Sequence, residues 1–172
     1  MNQDILYHER ISSPRTEALF LGLTLLFLSL TIWRLNSNGL DFLTGVLATF
    51  FVLFLFYTLN FRTLVIRLTP ERLELKFGVF RWRVPLEDVA SCQLDELPAF
   101  KRFGGAGIHF MMVRGKYRAS FNFLEHARVV VLMKKKKGPV CEISFSTRRP
   151  DDVIRAIQES PGYLTGSDLW AA

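Results

Sequence analysis

Lys76, Arg81 and Arg83 are the residues whose types and spacing most directly suggest chemistry. On a strand Arg81 and Arg83 alternate onto one face, and Lys76 lies across a turn from them. Three cations can then converge on a phosphate, with the guanidinium forks suited to pairs of its oxygens. A solvated strand face opposite Phe80, Trp82 and Val84 produces the same spacing. The second cationic feature is Lys134, Lys135, Lys136 and Lys137, placed ahead of Gly138 and Pro139. These four charges are expected at a turn between two apolar strands. A like-charge run this short otherwise serves only as a soluble loop. Beside an anionic leaflet each lysine near the surface adds about 1 kcal/mol of attraction, which sets the tilt of a domain rather than its specificity.

The remaining reactive residues form no constellation. Gly104-Gly-Ala-Gly107 lacks a following Lys-Ser or Lys-Thr and precedes a strand pattern, so it reads as a turn or bulge rather than a phosphate loop. His109 and His126 stand apart from any Cys or carboxylate at ligand spacing, and His8 lies in the N-terminal segment, which argues against a metal. Cys92 and Cys141 have no redox or metal spacing and fall on expected strands, where they pack as small apolar residues. Asp95-Glu96 and Asp151-Asp152 could be cast as acid/base catalysts, but the second fits the first turn of a helix better. No nucleophile stands beside an evident base. The chain is therefore expected to be non-catalytic and to need no cofactor.

The element that positions the basic residues lies upstream. Ala18 to Trp33 and Phe42 to Leu59 are apolar runs without a single Asp, Glu, Lys or Arg, separated by residues 34–41. Each is about long enough to cross a hydrocarbon core of roughly 30 Å as a helix, so they read as a transmembrane hairpin. A basic start before an apolar run is also a secretory pattern, but no small-x-small cleavage site follows Trp33 and a second apolar run comes at once. Arg34 is the only cation in the connection. Arg10 and Arg15 precede the hairpin, and Arg62, Arg67 and Arg72 follow it, which places both termini in the cytoplasm. Trp33 and Tyr57 are candidate interfacial anchors. Gly45 and Thr49 form a small-x3-small pair for helix packing, read first as a contact with the other helix of the hairpin and second as an oligomer contact.

Past Phe61 the pattern changes to alternation. Residues 61–160 hold 19 Lys and Arg against 11 Asp and Glu, about +8, compared with +6 for the whole chain of 172 residues. A basic domain held beside a bilayer faces anionic lipid most simply, and nucleic acid is not expected. Leu73, Leu75 and Phe77 alternate with Glu74 and Lys76. After Gly78, Phe80, Trp82 and Val84 alternate with Arg81 and Arg83, giving a hairpin with one apolar and one charged face. Further strands are expected at 63–69, 89–94, 108–113, 117–123, 128–133 and 140–146, with a helical turn at 85–88. An amphipathic helix is expected from about Pro150 to Glu159, its apolar face formed by Val153, Ile154 and Ile157.

This order gives an α+β chain in four parts: residues 1–17 as an N-terminal segment, 18–60 as the hairpin, 61–160 as a strand-rich domain and 161–172 as a tail. The domain is expected to be an antiparallel curved sheet or β-barrel capped by its C-terminal helix. Leu68-Thr-Pro-Glu-Arg-Leu-Glu-Leu75, Gly78-Val-Phe-Arg-Trp-Arg-Val-Pro-Leu-Glu-Asp-Val89, Gly104-Gly-Ala-Gly-Ile108 and Ser146-Thr-Arg-Arg-Pro-Asp-Asp-Val-Ile154 resemble the bacterial pleckstrin-homology-like domains that follow one or two membrane helices. Within that resemblance Lys76-x4-Arg81-x-Arg83 has the form of the basic signature that grips phosphoinositides in eukaryotic relatives. A bacterial membrane offers phosphatidylglycerol or cardiolipin instead. The resemblance implies a fold and a place, the inner membrane of a bacterium, more than an activity. The function expected is an interaction module that binds anionic lipid or a protein partner. The alternative is a structural subunit that assembles with copies of itself.

Overall fold

The computed structural model describes residues 4–96, 106–123, 125–137 and 139–163, with 135–137 described by their backbone alone. Leu97, Pro98, Gly104, Gly105 and most of the expected tail lie outside the described residues.

Two helices dominate the N-terminal third. Helix α1, Pro14–Asn38, starts where Ser13 Oγ accepts the Thr16 N–H at 3.1 Å, and it ends on Gly39 with φ 72°. Helix α2, Phe42–Asn60, starts where Asp41 accepts the Thr44 N–H at 2.8 Å. Their lengths are about 37 and 28 Å. Both are long and apolar enough to cross a membrane, and only 11% and 6% of their apolar windows are buried within the protein, far less than a globular core helix hides. They hold each other through Phe27, which stacks on Phe50 and Phe54 at 5.2 Å, and through the Thr24 and Thr58 hydroxyls at 2.9 Å.

The rest of the chain forms two sheets. The first has the order β1-β2-β3-β4, all antiparallel: β1 is Tyr7–Ser12, β2 Thr63–Leu68, β3 Arg72–Phe77 and β4 Phe80–Pro85. A single 3-10 turn at Leu86–Asp88 leads to the second sheet, ordered β5-β8-β9-β7-β6. Here β5 is Val89–Leu94, β6 Gly107–Val113, β7 Lys116–Asn122, β8 Ala127–Lys137 and β9 Val140–Thr147. The strands expected after Phe61 are therefore present, but they do not close into a barrel. Each sheet ends in edge strands, β1 and β4 in one, β5 and β6 in the other. The β8–β9 hairpin enters the second sheet with β9 against β7, and that pair is parallel.

Three further expectations are corrected. Residues 1–17 are more than a lead-in, because Tyr7–Ser12 is a full strand of the first sheet, paired with β2 from Tyr7↔Leu68 to Ser12↔Thr63. The four lysines do not occupy the turn: the backbone of Lys134–Lys137 continues β8, and Lys137 pairs with Val140. Gly45 does not pack on α1, since nothing lies within 4 Å of a Cβ placed there. Gly45 and Thr49 are both exposed, with the Thr49 hydroxyl donating to the Gly45 carbonyl at 2.8 Å.

A single core joins the parts. Leu64, Ile66, Leu73, Leu75 and Phe77 of the first sheet face Phe121, Val129, Val131, Ile143 and Phe145 of the second. Phe77–Phe123 and Trp82–Phe121 ring contacts, at 5.1 and 6.2 Å, bridge the sheets. Helix α3, Pro150–Gln158, buries Val153 and Ile157 and packs on β5 and β8. Phe61 links the hairpin to this core, its ring 5.2 Å from Tyr57 and 5.1 Å from Phe77.

Candidate functional site

The outward face of the first sheet collects the basic residues, and strand register places them in rows. Pairing runs Arg10↔Val65↔Lys76↔Arg81 in one row and His8↔Arg67↔Glu74↔Arg83 in the next on that face. Lys76, Arg81 and Arg83 thus do share a surface, as their spacing suggests, and all three are exposed. Two features differ from a bare triad of cations. Glu74 lies directly opposite Arg83 and diagonal to Arg81, and it pairs with both, at 3.0 and 3.4 Å. The arginines are about half exposed, so each pair contributes at most about 1 kcal/mol to stability, and Glu74 chiefly lowers the local charge.

The second difference is that β1 enlarges the patch. Arg10 and His8 come from the far side of the hairpin in sequence, and Arg67 joins them from β2. Among the described residues Arg10, Arg67 and Lys76 have no carboxylate within 4 Å. The signal that could have revealed β1 is the alternation of Tyr7, Glu9 and Ile11 with His8 and Arg10. Glu9 hides it by standing as a charge in an apolar series. Its carboxylate is satisfied by the Tyr7 and Thr147 hydroxyls at 2.8 and 2.6 Å and by the Arg148 N–H at 3.0 Å. Burial and the adjoining Glu9 raise the Tyr7 phenol to about 12.

Lys134 belongs to the other sheet from Lys76, Arg81 and Arg83. The side chains of Lys135, Lys136 and Lys137 lie outside the described residues. The outward face of the second sheet is instead charged and buried. Arg118 forks onto Glu142 at 2.6 and 2.9 Å and reaches Asp95 at 3.4 Å, and Arg128 also meets Asp95 at 3.4 Å. A concavity of about 200 Å³ beside this network is lined by opposite charges that largely pair with one another, including Lys116, Arg118, Asp95 and Glu142. Asp95 is thus engaged by two guanidinium groups. Among the described residues no group of three or more His, Cys, Asp and Glu could hold a metal.

No protein-family model matches this chain, and no curated protein sequence does either. The resemblance to pleckstrin-homology-like domains therefore rests on the residues that carry it.

Proposed function

We propose that this chain is a membrane-anchored, non-catalytic interaction module of pleckstrin-homology-like type, held at the cytoplasmic face of a bacterial inner membrane and binding anionic lipid headgroups or a protein partner. One observation carries the reading. Both ends of the apolar hairpin run into paired neighbouring strands, Ser12 of β1 and Thr63 of β2, of the sheet whose outward face bears Arg10, Arg67, Lys76, Arg81 and Arg83. Any membrane that holds the hairpin keeps that face close by. The connection between helices offers only Arg34, against Arg10 and Arg15 before the hairpin and Arg62, Arg67 and Arg72 after it. That asymmetry favours the cytoplasmic side for the sheets.

The full chain is the object to test, since cutting away the hairpin would also remove β1. With Arg67→Cys in a Cys141→Ser background reconstituted in nanodiscs of graded anionic content, the rate of labelling by a water-soluble thiol reagent reports access to the face. Protection that grows with anionic lipid, falls with salt and weakens in Arg81→Ala/Arg83→Ala supports lipid contact. Labelling indifferent to lipid charge would shift the function to a protein partner, to be sought by crosslinking in the native membrane. A second reading, self-assembly through the hairpin, is favoured by the exposed Gly45 notch on α2. A monomer at every accessible protein concentration would sink it.

A further inference from the structure

We propose that the junction between the hairpin and the first sheet is a binding site for one anionic phospholipid, its phosphate held between Arg10 and Arg62. This inference rests on the hairpin crossing a membrane. Where α2 passes into β2 the surface opens into a crevice of about 550 Å³, lined by Arg10, Arg62, Glu17, Leu59 and Asn60 among others. A phosphodiester carries one negative charge on paired oxygens, which is the acceptor geometry guanidinium forks match. Arg10 has no carboxylate partner among the described residues, and Arg62 has only a loose one, Glu17 at 3.9 Å with both side chains open to solvent. Glu17 also lines the crevice, so two cations stand there against one carboxylate, which leaves a net positive charge for a phosphate.

Its depth suits a lipid rather than a soluble anion. Asn60 is the last residue of α2, so the crevice stands where a spanning helix leaves hydrocarbon and phosphates gather. An apolar rim lies at the same level. Leu59 is 65% exposed, and Val79, at the tip of the β3–β4 turn, is 73% exposed. That tip is fixed to the end of α2: the Val79 N–H donates to Asn60 Oδ1 at 3.3 Å, and the Phe80 ring meets Phe56 at 6.3 Å. An acyl chain can follow Leu59 and Phe56 down the helix while the head group stays in the crevice. At a bilayer surface exposed apolar side chains beside two arginines match the two halves of a phospholipid.

The test is native mass spectrometry of the full chain, released from micelles holding equal phosphatidylglycerol and phosphatidylcholine. One retained phosphatidylglycerol per chain is expected. Arg10→Gln/Arg62→Gln should cut that retention about tenfold or more, as loss of charge-assisted hydrogen bonds predicts. Arg114→Gln/Arg155→Gln, which removes the same charge from exposed positions outside both the crevice and the basic face, should leave it intact. Equal loss in both pairs would overturn the site in favour of diffuse attraction. Displacement of the lipid by soluble glycerol phosphate would overturn the lipid as its occupant. Melting curves report whether each variant folds. If the glutamine pair does not, Arg10→Lys/Arg62→Lys replaces it, and undiminished retention by that pair would overturn a guanidinium site. Carbonate extraction separates this idea from its premise. Release of the protein from membranes sinks the hairpin and the site together, whereas a chain that stays embedded yet selects no lipid sinks the site alone.

Discussion

Glu9 and Thr147 stand 138 residues apart in the chain and share a buried hydrogen bond of 2.6 Å. Through it the strand that precedes the hairpin is fastened to the last strand of the second sheet, so the two apolar helices are held from both of their ends rather than trailing from one. Glu9→Ala leaves the Tyr7 and Thr147 hydroxyls without their partner in a site closed to water. It is expected to cost about 1–3 kcal/mol and to free β1 first. Hydrogen exchange in micelles should show Tyr7–Ser12 losing protection while β3 keeps it. Uniform loss across both strands would contradict a local lock.

The same contact explains why β1 was hard to read and β3 was not. Leu73, Leu75 and Phe77 are fully buried and alternate with charged residues, so their period of two is plain in the letters. In β1 the inward series is Tyr7, Glu9 and Ile11, and a charge in the middle place breaks the pattern, because its burial depends on partners at 147 and 148. The second sheet misleads in the opposite sense. Glu142 and Ser144 read as a solvent face, yet both are buried, since β9 is a central strand and Arg118 and Ser120 meet them from β7. For the basic patch, Lys76, Arg81 and Arg83 are legible from local alternation. Arg10 is not, because only a pairing across the whole hairpin brings it alongside them.

Glu74 sets the charge of that patch. Glu74→Gln removes the one carboxylate that, among the described residues, pairs with Arg81 and Arg83, and should change stability by less than about 1 kcal/mol, since those pairs are exposed. Association of the face with anionic lipid should strengthen and its salt dependence steepen. Both are read from the protection of Arg67→Cys, in the Cys141→Ser background, in nanodiscs. Unchanged protection would mean that the face does not meet lipid.

Gly78 lets the β3–β4 turn approach the end of α2. It has φ 57°, and a Cβ there would meet the Asn60 carbonyl oxygen and Cα. Gly78→Ala therefore strains the backbone and pushes the turn from the helix, for an expected cost of about 1–3 kcal/mol. Thermal melting in micelles checks the cost. Gly115 is the control: its φ is 78° but nothing lies near its Cβ, so Gly115→Ala should cost less.

The two thiols should separate cleanly. Cys92 is buried and its thiol is pushed up to about 12 by that burial, while Cys141 is half-buried on the strand that follows the lysines. A maleimide at neutral pH is expected to modify Cys141 alone in the folded protein and both in denaturant, as peptide mass mapping would show. Early labelling of Cys92 would place it outside the core.

His109 gives the fold a dependence on acid. Burial, and then the positive charge of Arg128, holds its imidazole below the ordinary value of 6.5, and both ring nitrogens are enclosed without a hydrogen-bond partner. A base whose folded value is depressed takes up its proton more readily when unfolded. Its contribution to stability is therefore whole above about pH 6.5 and is lost as the pH falls through that value toward the folded one. The denaturation midpoint should drop between about pH 7 and pH 5, and His109→Gln, which cannot take up that proton, should flatten the drop. A slope unaltered by that substitution would assign the acid sensitivity to the carboxylates around Arg118 instead.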